Sequence, residues 1–381
     1  MSEHDADQSS AVSPEELADA VESGESITLL DVRNREEIDA WRIEGPNVES
    51  VHVPYMRFVS ANVTGDVGSL VDPERSYVVV CPRGEESAEV VGMLEDEGID
   101  ARNLSGGMAG WADVYRRREI GSTATDATVF QYHRPATGCL GYTVVDGGEA
   151  VVVDPLAAFS DRYLEDVADL DAEVVAVVDT HVHADHVSGL RAVADAAGVS
   201  PSIPAAAVER GIDYAVEGRE DGDAIEVGGS ELRFRASPGH TTGSVSLLLG
   251  DVLFSGDALF LNGVGRPDLQ GGDADPSNLA GELHATLTER FAELPDDTVV
   301  APGHVRPETA APYTAALGAL RARLSAFSEP RAAFVDRIVG SVGEPPANHG
   351  RIVAINLGRE VVDDAAAFEL ELGPNNCAVA D

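Results

Sequence analysis

Three imidazoles and a carboxylate fall within six residues, His181-Val182-His183-Ala184-Asp185-His186, of a chain with only ten histidines. Neutral imidazole and carboxylate are metal ligands, and few other tasks demand them at this density. Three more candidates recur downstream in one pattern: His240 in Ser237-Pro238-Gly239-His240-Thr241, Asp257 in Phe254-Ser255-Gly256-Asp257, and His304 in Ala301-Pro302-Gly303-His304. Each follows an apolar run and a glycine, so a strand would present it on a loop whose backbone can approach closely. The bland alternative is a His-rich surface patch; four loops of one pattern argue against it. A second chemistry belongs to Cys81, in Cys81-Pro82-Arg83-Gly84-Glu85-Glu86-Ser87. A thiol between a strand and a helix faces backbone N–H groups and the positive helix end, which favour the thiolate.

The elements that must position these residues are legible as apolar runs. The first cluster follows Val174-Val175-Ala176-Val177-Val178, a buried strand, and precedes a helical stretch over 187–197. In extended backbone His181 and His183 point to one side, and Asp185 and His186 are expected to turn in from the first helical positions. Further strands are expected over 128–133, 140–145, 150–153, 224–227, 232–236, 244–249, 252–255 and 299–301, with helices over 158–170 and 276–293. Two strand-rich halves with helices between them imply an αββα sandwich over 128–310, with a mostly helical extension over 311–381. Ahead of it, Ser13-Pro14-Glu15-Glu16 has the form of a capped helix start. Strands over 27–32, 51–54, 77–81 and 101–104 then alternate with helices over 35–41 and 85–97, which implies an α/β domain with a parallel sheet over 13–118. Residues 1–12 read as a disordered leader and 119–127 as a linker.

The 381 residues suffice for two or three domains, and an apolar fraction of 44% supports packed cores. The formal charge is −41, from 67 acidic and 26 basic residues, every basic one an Arg. Such a charge strains a fold by self-repulsion unless salt screens it. Acidic excess spread along the whole chain without Lys resembles the proteins of salt-loving archaea; the alternative is an acidic face for a basic partner. The charge argues against nucleic-acid binding. Cys81, Cys139 and Cys377 are too far apart for a disulfide framework and fit a reducing cytoplasm. The polar start is no signal peptide, and no apolar run is long enough to span a membrane.

The combination His-x-His-x-Asp-His, Pro-Gly-His, Gly-Asp and a final Pro-Gly-His resembles the metallo-β-lactamase superfamily over about 128–307. Gly256-Asp257-Ala258-Leu259 followed by Gly263-Val264-Gly265-Arg266-Pro267-Asp268 is similar to its persulfide dioxygenase branch. That resemblance implies one iron(II) per chain held by His181, His240 and Asp257. It places His183, Asp185, His186 and His304 around the site without binding that ion, although in dinuclear relatives the same positions hold metals. It further implies oxidation of a small-thiol persulfide by O2 to sulfite and thiol, with Arg266 meeting a carboxylate of the thiol carrier; an ordinary loop ion pair is the other reading of Arg266. The alternative activity is a thioester hydrolase like glyoxalase II, with one or two zinc ions. Its seven ligand positions are all present, but the Gly-x-Gly-Arg-x-Asp segment and the absence of Lys stand against it.

The Cys81 loop, with Leu30-Asp31-Val32-Arg33 and Gly106-Gly107-x-x-Gly110-Trp111, resembles rhodaneses over about 13–118. The resemblance implies that Cys81 carries sulfane sulfur as a persulfide and that Arg83 is the cation beside it. Glu85 and Glu86 depart from the uncharged or basic residues of many thiosulfate-using members, which puts thiosulfate as donor in doubt. Thiosulfate and sulfite remain candidate partners, and a homo-oligomeric state is left open. A catalytically silent docking module, or a sulfide-sensing protein, is the non-enzymatic reading. Cys139 reads as a buried small hydrophobe, Cys377 as a structural or free thiol with reach to a pocket as the alternative, and His52, His133, His284 and His349 as structural.

Overall fold

The structure, a computed structural model, describes residues 11–122, 124–272, 274–307, 309–373 and 377–380. The chain divides into two compact units.

The first unit is built on a five-stranded sheet in the spatial order Ala11–Val12, Ala101–Leu104, Tyr77–Val80, Ile27–Asp31, Val48–His52, with every pair parallel. The expected parallel α/β layer is therefore present. Its first helix, Pro14–Ser23, carries the expected capping box: Ser13 accepts from Glu16 N–H while the Glu16 side chain accepts from Ser13 N–H. Leu30, Val79, Val90, Leu94 and Phe58 close the core. The expected leader falls mostly on residues 1–10, which lie outside the described residues; Ala11 and Val12 pair with Asn103 and Leu104. The helix Tyr55–Thr64 was not expected from the sequence.

The second unit holds two large sheets. The seven-stranded one runs Glu217–Arg219, Pro201–Pro204, Glu173–Val178, Glu149–Val153, Leu140–Asp146, Thr128–His133, Arg116–Ile120; the first four strands are parallel and the rest antiparallel. Arg116–Ile120 runs into the segment expected as linker, where Ile120 is buried. The six-stranded sheet runs Ala224–Val227, Ser230–Ala236, Val245–Leu249, Val252–Gly256, Val299–Pro302, Ala315–Ala316. Tyr142 of the first sheet packs on Phe254 of the second, ring centroids 4.9 Å apart, and donates to the Pro302 carbonyl at 2.6 Å. Helices Ser160–Asp169 and Leu190–Ala197 pack on the seven-stranded sheet. Leu253 and Val300 of the six-stranded sheet pack with Leu283, Phe291 and Phe334. The expected helix over 276–293 is α-helical only through Pro276–Ala285 and continues as a π-helical turn, Thr286–Arg290. The extension contains helices Leu317–Arg323, Arg331–Ser341, His349–Asn356 and Asp364–Leu370. It ends in Ala378–Ala380, a strand paired with Gly263–Gly265.

Candidate metal centre

The strand Glu173–Val178 is flanked by parallel strands on both sides, and the chain leaves its C-terminal end at Asp179. Contrary to expectation, residues 179–189 form a loop and the helix begins only at Leu190. Asp185 and His186 are therefore loop residues. The reason lies in alternation: His181, His183, Asp185 and His186 turn to one side, while Val182 packs with Leu357, Ala184 with Val353 and Val187 with Ile352 and Ile355.

His240 follows the strand Ser230–Ala236, and the loop is pressed against a helix. Gly239 has φ +142°, and a Cβ there would sit 2.4 Å from the Leu283 Cβ, so only glycine fits. Asp257 and His304 follow the neighbouring parallel strands Val252–Gly256 and Val299–Pro302. The fold brings all seven candidates into one buried cluster.

Within it the atoms are not equivalent. Asp257 Oδ2 lies 3.8 Å from His181 Nε2 and 3.6 Å from His240 Nε2. These three atoms are buried and have no hydrogen-bond partner among the described residues. Three convergent orphaned atoms, two imidazole nitrogens and a carboxylate oxygen, fit a divalent cation. The opposite ring nitrogens are fixed: His240 Nδ1 lies 2.8 Å from the Arg266 carbonyl, to which it can only donate. Thr180 gives its hydroxyl hydrogen to Asp154 Oδ2 at 2.9 Å, so its oxygen accepts from His181 Nδ1 at 3.0 Å. Both tautomers leave Nε2 bare for a metal.

Asp154 is the residue the sequence reading missed. Its carboxylate also accepts from Thr180 N–H at 2.6 Å and from His183 Nε2 at 3.1 Å. It follows the apolar run Ala150-Val151-Val152-Val153 as the other site residues follow theirs, and that pattern was the available signal. Burial disfavours charge on His183, but Asp154, with Asp179 and Asp185, outweighs it and raises His183 to about 10. Burial pushes His181 and His240 down from the usual imidazole range. Burial opposes charge on Asp257 too, yet His304, His181 and His240 hold its carboxyl below the usual range. His304 Nδ1 sits 3.2 Å from Asp257 Oδ1, and the Nε2 atoms of His186 and His304 have no partner among the described residues.

Arg266 is buried, with Nε and Nη2 on the two Asp268 oxygens at 2.7 and 2.8 Å and further bonds to the carbonyls of Glu344 and Gly343. Asp268, two residues on, takes the Arg266 fork, the ion-pair arrangement that was the other reading of this residue. The cysteines also border the site: Cys139 Sγ lies 3.4 Å from Asp185 Oδ2, and Cys377 groups with Asp257 and His304.

In the other unit Cys81 is buried at the strand end before the helix Glu85–Asp96. Its sulfur accepts from Gly84 N–H and the Ser87 hydroxyl, both at 3.0 Å. Gly107 closes over it at φ +57°, where a Cβ would meet the Cys81 carbonyl at 2.2 Å. Arg83 is exposed at the loop, as are Glu85 and Glu86. The motif residues Asp31 and Arg33 form a buried fork-to-fork ion pair.

Two sheets presenting His and Asp from loops at their strand ends define a metallo-β-lactamase fold. The superfamily model matches residues 134–304, and the rhodanese-like domain model matches residues 13–113. The chain is 31% identical over 195 residues to "Persulfide dioxygenase ETHE1, mitochondrial" of Homo sapiens, covering 49% of this chain and 73% of that one. It is 34% identical over 158 residues to the protein of the same name from Bos taurus, of which it spans 59%. A hydroxyacylglutathione hydrolase of Polaromonas sp. is 37% identical over 163 residues, 41% of this chain and 57% of that one. The crystal structure of ETHE1 from Myxococcus xanthus superimposes with a TM-score of 0.54 at 28% identity, covering 64% of this chain and all of that one. The chain belongs to the metallo-β-lactamase superfamily and, within it, to the persulfide dioxygenase family, with a rhodanese-like domain ahead of the metal-binding fold. Among the described residues no helix is long and apolar enough to cross a membrane.

Proposed function

We propose that this protein oxidises the persulfide of a small thiol with O2, using one iron(II) held by His181, His240 and Asp257. The observation that carries the reading is the convergence of their three unpartnered atoms. Iron bound there would supply open positions for a sulfur anion and for O2. The reaction balances as persulfide plus O2 plus water giving thiol, sulfite and two protons. The residues contribute three things. Asp257 offsets the cation's charge. The Asp154–Thr180 chain and the Arg266 carbonyl fix the two imidazoles. Burial of the whole cluster keeps bulk water from the reacting sulfur. In the first domain Cys81 carries sulfane sulfur, its sulfur held by Gly84 N–H and Ser87, with Arg83 beside it. The dispersed acidic charge is read as adaptation to molar salt in the cytoplasm.

A second reading has support of its own. The bare Nε2 atoms of His186 and His304 could take a second ion, and a hydroxyacylglutathione hydrolase is among the relatives. Two zinc ions would then activate water against a thioester. Metal analysis of protein purified without oxygen separates the two. About one iron per chain, lost in His240→Ala, supports the dioxygenase; two zinc ions per chain with thioester hydrolysis would overturn it.

A further inference from the structure

The loop that carries the metal-site residues is not held by its own strand or helix alone. Asn356, buried at the C-terminal end of the helix His349–Asn356, reaches three of its backbone groups. Its Nδ2 donates to the carbonyls of His183 at 3.0 Å and His186 at 2.9 Å, and its Oδ1 accepts from Ser188 N–H at 2.9 Å. Because the helix does not begin until Leu190, these carbonyls and this N–H have no helical partners, and buried backbone groups require partners from elsewhere. One primary amide supplies both donors and the acceptor, which no shorter or purely acidic side chain can do. Glu371, buried in the same extension, accepts from Val187 N–H at 2.7 Å. The same helix buries Val182, Ala184 and Val187, the residues that alternate with the metal-facing ones.

From this we infer that Asn356 is a positioning residue for the metal centre: the C-terminal extension fixes the main chain of residues 183–188, and with it the His183 ring, which packs on the His181 ring with centroids 4.2 Å apart. The inference rests on the reading of that cluster as a metal site. It predicts that metal affinity, and not only fold stability, depends on a residue some 170 positions away in sequence.

The test is titration of the metal-free full chain with Co2+ against a chelator, read by affinity and by the visible d–d spectrum, alongside thermal unfolding. Asn356→Ala removes all three bonds. Asn356→Asp keeps the shape and the acceptor but turns one carboxylate oxygen, in place of Nδ2, toward the two carbonyls, and serves if the alanine variant does not fold. The control is Asn348→Ala, which breaks the Asn348 Nδ2 bond to the Leu370 carbonyl within the extension without touching the metal loop. Loss of an outer residue that orients a metal site weakens metal binding by about 10–100-fold. That loss, with an altered spectrum, is expected for both Asn356 variants and not for Asn348→Ala. Wild-type affinity and spectrum in a folded Asn356→Asp protein would overturn the inference, as would equal loss in the Asn348 control. Failure of the wild-type chain to bind Co2+ would remove the metal centre itself, and the inference with it.

Discussion

Replacing Asp154 by Asn is the sharpest probe of how the centre is ordered. The wild-type carboxylate receives three hydrogen bonds, from Thr180 N–H, the Thr180 hydroxyl and His183 Nε2, at 2.6, 2.9 and 3.1 Å. The first and third go to Oδ1, so the amide oxygen of Asn would take that position. The amide –NH2 would then face the Thr180 oxygen, two donors meeting. The Thr180 hydroxyl must turn its hydrogen toward His181 Nδ1, which drives the imidazole proton onto Nε2, the atom aimed at the metal. A buried donor without an acceptor costs about 1–3 kcal/mol. Weakening of the charge-assisted bond to His183 adds to this, so the metal-free variant is expected to be about 2–4 kcal/mol less stable. Metal affinity should fall about 10–100-fold. Denaturant unfolding of the metal-free protein gives the first number and chelator competition the second. A variant within about 0.5 kcal/mol of wild type, the scatter of ordinary surface substitutions, with unchanged metal affinity would refute the tautomer argument.

Three further outcomes follow from the same structure. Cys81→Ser should abolish sulfane-sulfur transfer to cyanide or a thiol while leaving metal content unchanged; transfer that survives removes Cys81 from the chemistry. His133 is buried against Tyr313, and burial, then Arg118 and Arg116, lower it to about 3. Its unfolded value is 6.5, so the folded state resists its protonation, and stability present above pH 6.5 is lost as pH falls toward 3. His133→Phe should reduce that loss between about pH 6.5 and 4 by up to about 3 kcal/mol; identical pH slopes in chemical denaturation would count against it. With a net charge of −41, the thermal midpoint should rise steeply from about 0.1 M to molar KCl as the Debye length shrinks from about 10 to about 3 Å; a flat response would refute the salt reading.

Much of the centre was legible because its residues obey one local rule, an apolar strand followed by glycine or a turn and then a polar group. That rule located His181, His240, Asp257 and His304, and applied to Ala150-Val151-Val152-Val153 it points to Asp154 as well. The Cys81 loop was legible for the same reason. What was not legible depends on distant partners. For Arg266 the ion pair with Asp268 was one of two readings open in the sequence, but its bonds to the Gly343 and Glu344 carbonyls were not readable there. Cys377 looked incidental because its place beside Asp257 and His304 is set by the pairing of Ala378–Ala380 with Gly263–Gly265. The helix starts at Leu190 instead of Val187, and the loop before it takes partners from the C-terminal extension, Ile352 and Ile355 on Val187 and Asn356 on Ser188 N–H, which no local pattern encodes.

The central claim is that the convergent His181, His240 and Asp257 serve a persulfide dioxygenase. Oxygen consumption by the iron-loaded chain, given glutathione persulfide and read together with sulfite formed, tests it most directly. The expected result is one O2 consumed per sulfite released, with both lost in Asp257→Ala. Sulfur release or thioester hydrolysis without oxygen uptake would contradict it.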